Sequence, residues 1–490
     1  MTTPVENDVL DSLSASRNTA HGAALRVATF GVSMLVSVVS VRLMTRHLGP
    51  IDWGSYSIVT AITFVLVGSS EAGLTSIGLR EGAGLDTTAR SRLVSNILGL
   101  RIALTIAGIV CAVVFAAATG RPSTIVLGVG VVGVGTLLTM TQQTLAIKLS
   151  LELRNGAIAA LELVRNLALS AANIAMVEAD SGLNWFYLGP VVAGIVTIAA
   201  MAAFMRSSAW FRPRLDRREW RRILRSVVPY AMAGALGLLY FRVAQITMSY
   251  VATGTETGLY GLGFRVIEVL GAIPSLVAVT ALPLVSRAVT AGTSRLRPLV
   301  QVLADSATLA GITLAFAVAA GGRLAVSVLG DATYSGAVPV LHILAIGLAF
   351  TFPLTMLSIL LISLERYRAL VVCGSSAAVL SLALTTALVP TYGARGAAVA
   401  TVLTEACLTG LFLAALVRSR RDLVPSPRRS VRALAACVPG VAVLAVTLSH
   451  HGYFAPFLAL PVFVTAAVLL GAVPPELRDV VTPTTVRRPT

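Results

Sequence analysis

The sequence predicts an all-α polytopic membrane protein, with about fourteen transmembrane helices in two pseudo-symmetric six-helix lobes plus two C-terminal helices. Three observations predict it: an apolar composition too large for one soluble core, apolar runs of bilayer length, and basic residues confined to the gaps between those runs. Of 490 residues, 56% are hydrophobic and only 12% charged, and the mean hydropathy is +0.85. A soluble domain carries about 25% charged residues, and a single soluble core stops growing near ~250–300 residues. The surplus apolar surface therefore needs lipid.

A crossing takes ~20 mostly apolar residues, and lipid forces the backbone to pair within each segment, so the runs are helices. The N-lobe covers 23–205, with spans at 23–45, 56–78, 94–119, 123–146, 157–177 and 184–205. The C-lobe covers 227–417, with spans at 227–250, 259–285, 299–320, 335–362, 369–389 and 397–417. Two last spans, 433–449 and 453–473, complete the count. Residues 1–22 and 474–490 read as cytoplasmic tails, 206–226 as a basic cytoplasmic linker and 418–432 as a second basic cytoplasmic loop.

Charge fixes the orientation. With the N-terminus inside, 28 of the 38 Lys and Arg residues fall in inner loops and tails, four in outer loops and six within spans. That asymmetry satisfies the positive-inside rule and places both termini in the cytoplasm. The net charge of +16 thus reflects topology, and nucleic acid is excluded as a partner. The linker, with Arg212, Arg214, Arg217, Arg218, Arg221 and Arg222, reads as an amphipathic segment against anionic lipids of the cytoplasmic leaflet. The lobes repeat weakly. Gly54-Ser-Tyr56 and Gly258-Leu-Tyr260 stand 204 residues apart, and Gly189, Ala193 and Thr197 match Gly393, Ala397 and Thr401 at the same offset.

Several signals carry no chemistry. Gly128, Gly130 and Gly133 spell GxGxxG, but inside an apolar span, where glycines serve helix packing rather than a dinucleotide. The four cysteines lie in apolar runs without a CxxC pair, and no metal or other cofactor is expected. No Ser/His/Asp or Cys/His set suggests nucleophilic catalysis, and no outer loop exceeds about fifteen residues, so an enzyme is not expected.

The informative residues are ionisable groups at membrane depth, each costing ~2.5–3.5 kcal/mol at a helix centre unless wet or paired. Arg42, Arg242 and Arg265 sit in outer halves of spans from both lobes. They read either as separately snorkelling side chains or as a cationic cavity for a phosphate-bearing substrate. Arg101, about two turns from the inner surface, divides between the same readings. Glu71, Glu268, Asp305 and Glu405 are candidates for ion coupling or charge balance. Gln142, Gln143 and Gln245 are candidates for sugar contacts or for interhelical hydrogen bonds.

A resemblance adds to this reading. Leu48-Gly49-Pro50-Ile-Asp52-Trp-Gly54-Ser-Tyr56, then Gly73-Leu74 and Arg80-Glu81, resembles the opening of bacterial polysaccharide and O-unit flippases. These belong to the multidrug/oligosaccharidyl-lipid/polysaccharide exporter superfamily. Gly258-Leu-Tyr260 with Arg265, Leu282-Pro-Leu-Val-Ser286-Arg287, Pro339-Val-Leu341-His-Ile-Leu344 and Tyr392-Gly393-Ala-Arg-Gly396 agree in order and spacing. The resemblance implies alternating access and a polyprenyl-diphosphate-linked oligosaccharide, moved from the inner to the outer leaflet of the bacterial cytoplasmic membrane. It also implies glycosyltransferases and a polymerase of the same pathway as partners. One place departs: family members often carry an acid shortly after Tyr-x-Arg of span 7, whereas Tyr240-Phe-Arg242 is followed by Val-Ala244-Gln245. A drug/cation antiporter of the superfamily and a non-transporting scaffold of envelope assembly are the alternative readings.

Overall fold

The computed structural model describes residues 13–71, 73–152, 154–204, 212–450 and 455–474. Most of the N-terminal tail, the start of the basic linker, His451 and nearly all of the C-terminal tail lie outside the described residues. In chain order the helices are α1 (Leu13–Leu66), α2 (Leu74–Gly82), α3 (Thr87–Ala118), α4 (Ser123–Leu151), α5 (Asn155–Glu178), α6 (Leu183–Phe186) and α7 (Gly189–Phe204). Then follow α8 (Arg217–Val251), α9 (Gly254–Ala291), α10 (Thr293–Leu329), α11 (Ala337–Ser363), α12 (Tyr367–Ser419), α13 (Arg428–His450) and α14 (Ala455–Leu469).

The chain is an all-α polytopic membrane protein. By length and composition alone, eight helices among the described residues can cross a membrane. Two of these, Gly31–Gly82 and Tyr367–Ser419, run over 52 and 53 residues, more than twice a bilayer's need, so each holds two crossings. Each breaks at a glycine. Gly49 (φ 67°) interrupts α1 just before Pro50, and Gly393 (φ 54°) interrupts α12 three residues after Pro390. The positive φ favours glycine, and proline removes a helical hydrogen bond beside it.

Span 2 differs from the continuous helix expected over 56–78. Its first part ends at Leu66, a 3-10 turn covers Gly68–Ser70, Gly73 takes a left-handed conformation, and α2 starts afresh at Leu74. Average hydropathy passes smoothly over this break. The signal that marks it is the local run Gly68-Ser69-Ser70-Glu71 before Gly73.

The described chain groups into two compact units. The first is residues 1–48 with 59–234, and the second is residues 49–58 with 235–490. In the first, Leu74, Leu93, Val94, Ile97, Ile147 and Ile223 form one core, and α4 packs on α3 and on α7, where an added Cβ on Gly135 would lie 2.6 Å from the Pro190 backbone. A Cβ on Gly128 would lie 2.6 Å from the Tyr187 ring and one on Gly133 would lie 2.9 Å from the Ile109 side chain of α3. The GxGxxG glycines therefore lie inside α4 at helix contacts. In the second unit, α13 and α14 dock on α10, where Ala433, Ala436, Ala459 and Phe463 pack with Ile312 and Phe316.

The two lobes share local construction. Gly189 opens α7 and Gly393 opens the second half of α12. One turn further on, the Thr197 hydroxyl donates to the Ala193 carbonyl (2.6 Å) and the Thr401 hydroxyl to the Ala397 carbonyl (2.9 Å). Both alanines are buried.

Candidate functional site

The segment 50–58 is seated on α9 within the second unit. An added Cβ on Gly258 would lie 1.9 Å from the Pro50 carbonyl oxygen, one on Gly54 2.7 Å from the Gly254 carbonyl oxygen, and one on Gly261 2.7 Å from the Ser57 hydroxyl. The repeated Gly-x-Tyr motifs of the two lobes thus pack directly on one another. This contact fixes the Ser57 carbonyl, which accepts a hydrogen bond from the Gln245 amide (3.1 Å).

Gln245 leads into a charged cluster. Its side-chain oxygen accepts from the Arg242 guanidinium (2.8 Å). Arg242 also donates to one oxygen of Glu268, and Arg265 donates to the other (2.8 Å). The Arg242 guanidinium carbon lies 5.1 Å from the Phe264 ring centroid and 5.6 Å from that of Phe241, within cation–π range. Arg242 is almost sealed, with 6% of its side chain exposed, whereas Arg265 keeps 37% exposed. Two cations share one carboxylate, so the cluster retains one positive charge. Arg265 carries it outward on a planar fork suited to phosphate or carboxylate oxygens.

The acid that balances Arg242 therefore comes from α9 and not from the residues after Tyr240-Phe-Arg242. The i, i+3 spacing of Arg265 and Glu268 makes their pairing legible in sequence. The Arg242–Glu268 bond, 26 residues long in sequence, leaves no periodic trace.

A second cluster lies in the first unit, at the broken span. Arg101 is fully buried on α3, pairs with Glu71, and donates to the Thr75 hydroxyl (2.9 Å). The Ser70 and Thr105 hydroxyls bond beside it (2.9 Å). The non-helical turn is thus held to α3 by charge and hydrogen bonds, which supply partners where the helical ladder stops. Thr75 is a member of this cluster that sequence reasoning misses, since nothing in the pattern singles it out from other threonines in apolar runs.

The remaining candidates separate. Asp305 is buried on α10 and accepts from Arg429 (2.9 Å) at the start of α13 and from Gln301 (2.9 Å). Glu405 is buried on α12 and accepts from the Thr351 hydroxyl (3.0 Å). An added Cβ on Gly347 would lie 2.8 Å from its carboxylate, so glycine there makes room for the acid. Gln142 is buried and Gln143 exposed, both on α4. Arg42 is half-buried on α1, in the first unit. Among the described residues no group of three or more His, Cys, Asp or Glu could hold a metal ion.

The class that the fold defines is a polytopic helical membrane protein with ionised groups at membrane depth, and comparison with known proteins gives its family. The sequence model of the polysaccharide biosynthesis protein family matches residues 20–289, more than half of the chain, and the chain belongs to that family. No curated protein sequence matches it. Among solved structures, the chain is similar to the Lipid II flippase MurJ in an inward closed conformation, with TM-score 0.72 and 10% identity over 94% of this chain and 100% of that one. It is also similar to an inward-facing multidrug resistance MATE family transporter of the MOP superfamily (TM-score 0.63, 14% identity, 82% of this chain and 98% of that one). A third similar structure is an outward-facing multidrug resistance MATE family transporter of the same superfamily (TM-score 0.56, 16% identity, 82% and 96%). At these identities the likeness is one of fold.

Proposed function

We propose that this protein flips a polyprenyl-diphosphate-linked oligosaccharide from the inner to the outer leaflet of a bacterial cytoplasmic membrane, by alternating access, for cell-surface polysaccharide synthesis. The observation that carries this reading is the Arg242–Glu268–Arg265 cluster, with its residual positive charge on a partly exposed guanidinium. A diphosphate cannot cross hydrocarbon alone, and bidentate arginine contacts replace its hydration. Both termini then lie in the cytoplasm, the basic loops face anionic lipids, and glycosyltransferases and a polymerase supply and consume the cargo.

In this reading Arg242 and Arg265 hold the headgroup, and Arg42 and Arg101 are further cations of the transport path. Gln142, Gln143 and Gln245 are assigned to sugar or positioning contacts. Glu71, Glu268 and Asp305 balance arginines. Glu405, bonded to a neutral hydroxyl instead, is the acid we assign to ion coupling. That same feature is what favours the second reading, a drug/cation antiporter.

The test is export of surface polysaccharide in a strain complemented with variants. Arg265→Ala should abolish export while leaving the protein inserted. Arg265→Lys should restore it only in part, because an ammonium keeps the charge but loses the fork. Wild-type export by Arg265→Ala would overturn the reading, and loss of cationic-drug efflux in its place would favour the antiporter.

A further inference from the structure

The start of α8 has two unlike sides. One is bound tightly within the first unit. Arg222 donates to both oxygens of Glu81 (2.8 and 3.2 Å) and to Glu219 (2.6 and 3.1 Å). These carboxylates, Glu219 first and then Glu81, hold the Arg222 guanidinium well above its ordinary pKa. Ile223 is fully buried in the core with Leu93, Val94 and Ile97. The preceding strap is seated on α3, where the Arg214 amide donates to the Ser95 carbonyl (3.0 Å) and an added Cβ on Gly99 would lie 2.3 Å from the Arg214 carbonyl oxygen.

The other side borders an open groove of about 530 Å³ lined by Arg217, Trp220, Arg221, Leu224, Arg225 and Val228. The spacing sorts these into two adjacent stripes, three arginines at i, i+4 and i+8 beside Trp220, Leu224 and Val228. Among the described residues, none of the three arginines has a carboxylate or hydrogen-bond partner, while Arg222 on the same helix has two. Trp220 and Leu224 are half-buried: they lean in part on the core that holds Ile223 and leave the rest of their apolar surface, with that of Val228, along the groove. Three like charges within about three turns of helix repel one another unless an anion lies among them.

We propose that this groove binds an anionic phospholipid of the cytoplasmic leaflet. Its phosphate takes Arg217, Arg221 and Arg225, and its first acyl carbons lie along Trp220, Leu224 and Val228. The apolar stripe selects an amphiphile over a soluble anion. The position, on the turns of α8 that precede its crossing, puts the phosphate at headgroup level. The inference goes beyond the transport reading and does not depend on the cargo.

The test uses the full-length protein in vesicles and the fluorescence of its tryptophans. Phosphatidylglycerol and phosphatidylcholine, each brominated on the acyl chain, serve as quenchers at equal mole fraction. Three arginines should enrich the anionic headgroup on the order of a hundredfold at this site. Brominated phosphatidylglycerol should therefore quench more strongly than brominated phosphatidylcholine. The excess should vanish in Trp220→Phe and in the Arg217→Gln/Arg221→Gln/Arg225→Gln triple variant. In the unaltered protein, which needs no variant to fold, the excess should shrink as ionic strength rises. Equal quenching by the two lipids, or an excess that survives in the triple variant, would overturn the proposal. Displacement of the excess by stoichiometric polyprenyl diphosphate would also overturn it, because the groove would then be a cargo site.

Discussion

At the scale of residues, the central fact is how the acids at membrane depth divide. Glu71, Glu268 and Asp305 each meet an arginine, and Glu405 meets a threonine hydroxyl. Two isosteric changes should then behave differently. Glu268→Gln leaves Arg242 and Arg265 side by side without their anion, and removing one partner of a buried pair is costly. It should lower stability by about 2–3 kcal/mol, less than a fully sealed pair would lose. Glu405→Gln strands no cation and keeps an oxygen for Thr351, so it should change stability by less than about 1 kcal/mol while removing the dependence of transport on an ion gradient. Thermal unfolding of both purified variants checks the contrast, and a Glu405→Gln variant as damaged as Glu268→Gln would contradict the division. The sequence alone shows that these groups lie at membrane depth, because each interrupts an apolar run. It does not show their partners. Arg101–Glu71 closes across 30 positions of chain and Arg429–Asp305 across 124, and no periodic pattern records such pairings.

At the scale of elements, the crossings are legible because lipid demands long apolar helices, but the breaks within them are less so. The Gly49-Pro50 kink falls in a loop that hydropathy marks. The turn at Gly68–Ser70 falls inside a run whose average stays apolar, so only its local Gly-Ser-Ser-Glu content reveals it. Packing of segment 50–58 on α9 depends on glycine at the crossing point. Gly258→Ala would put a methyl carbon 1.9 Å from a backbone oxygen, which only a shift of the helices can relieve. It should cost about 1–3 kcal/mol. Gly234→Ala, in open space on α8, should be neutral or slightly stabilising because alanine is the better helix former. Melting temperatures of the two variants test the contact, and equal values would refute it.

At the scale of the whole molecule, composition establishes a membrane protein, charge asymmetry predicts that its basic loops face the cytoplasm, and the structure adds two compact units. Residues 49–58 group with the second unit although they precede most of the first. Sequence order does not foresee that exchange, since it rests on glycine contacts between distant segments. The central claim is movement of a diphosphate-linked lipid by arginine recognition. It is tested most directly in vesicles containing the purified protein and a fluorescent polyprenyl-diphosphate oligosaccharide, by measuring the rate at which the lipid changes leaflet. The account predicts that the protein accelerates this exchange and that replacing Arg42, Arg242 and Arg265 together with alanine returns it to the rate of protein-free vesicles. No acceleration by the unaltered protein, or full acceleration by the triple alanine variant, would contradict it.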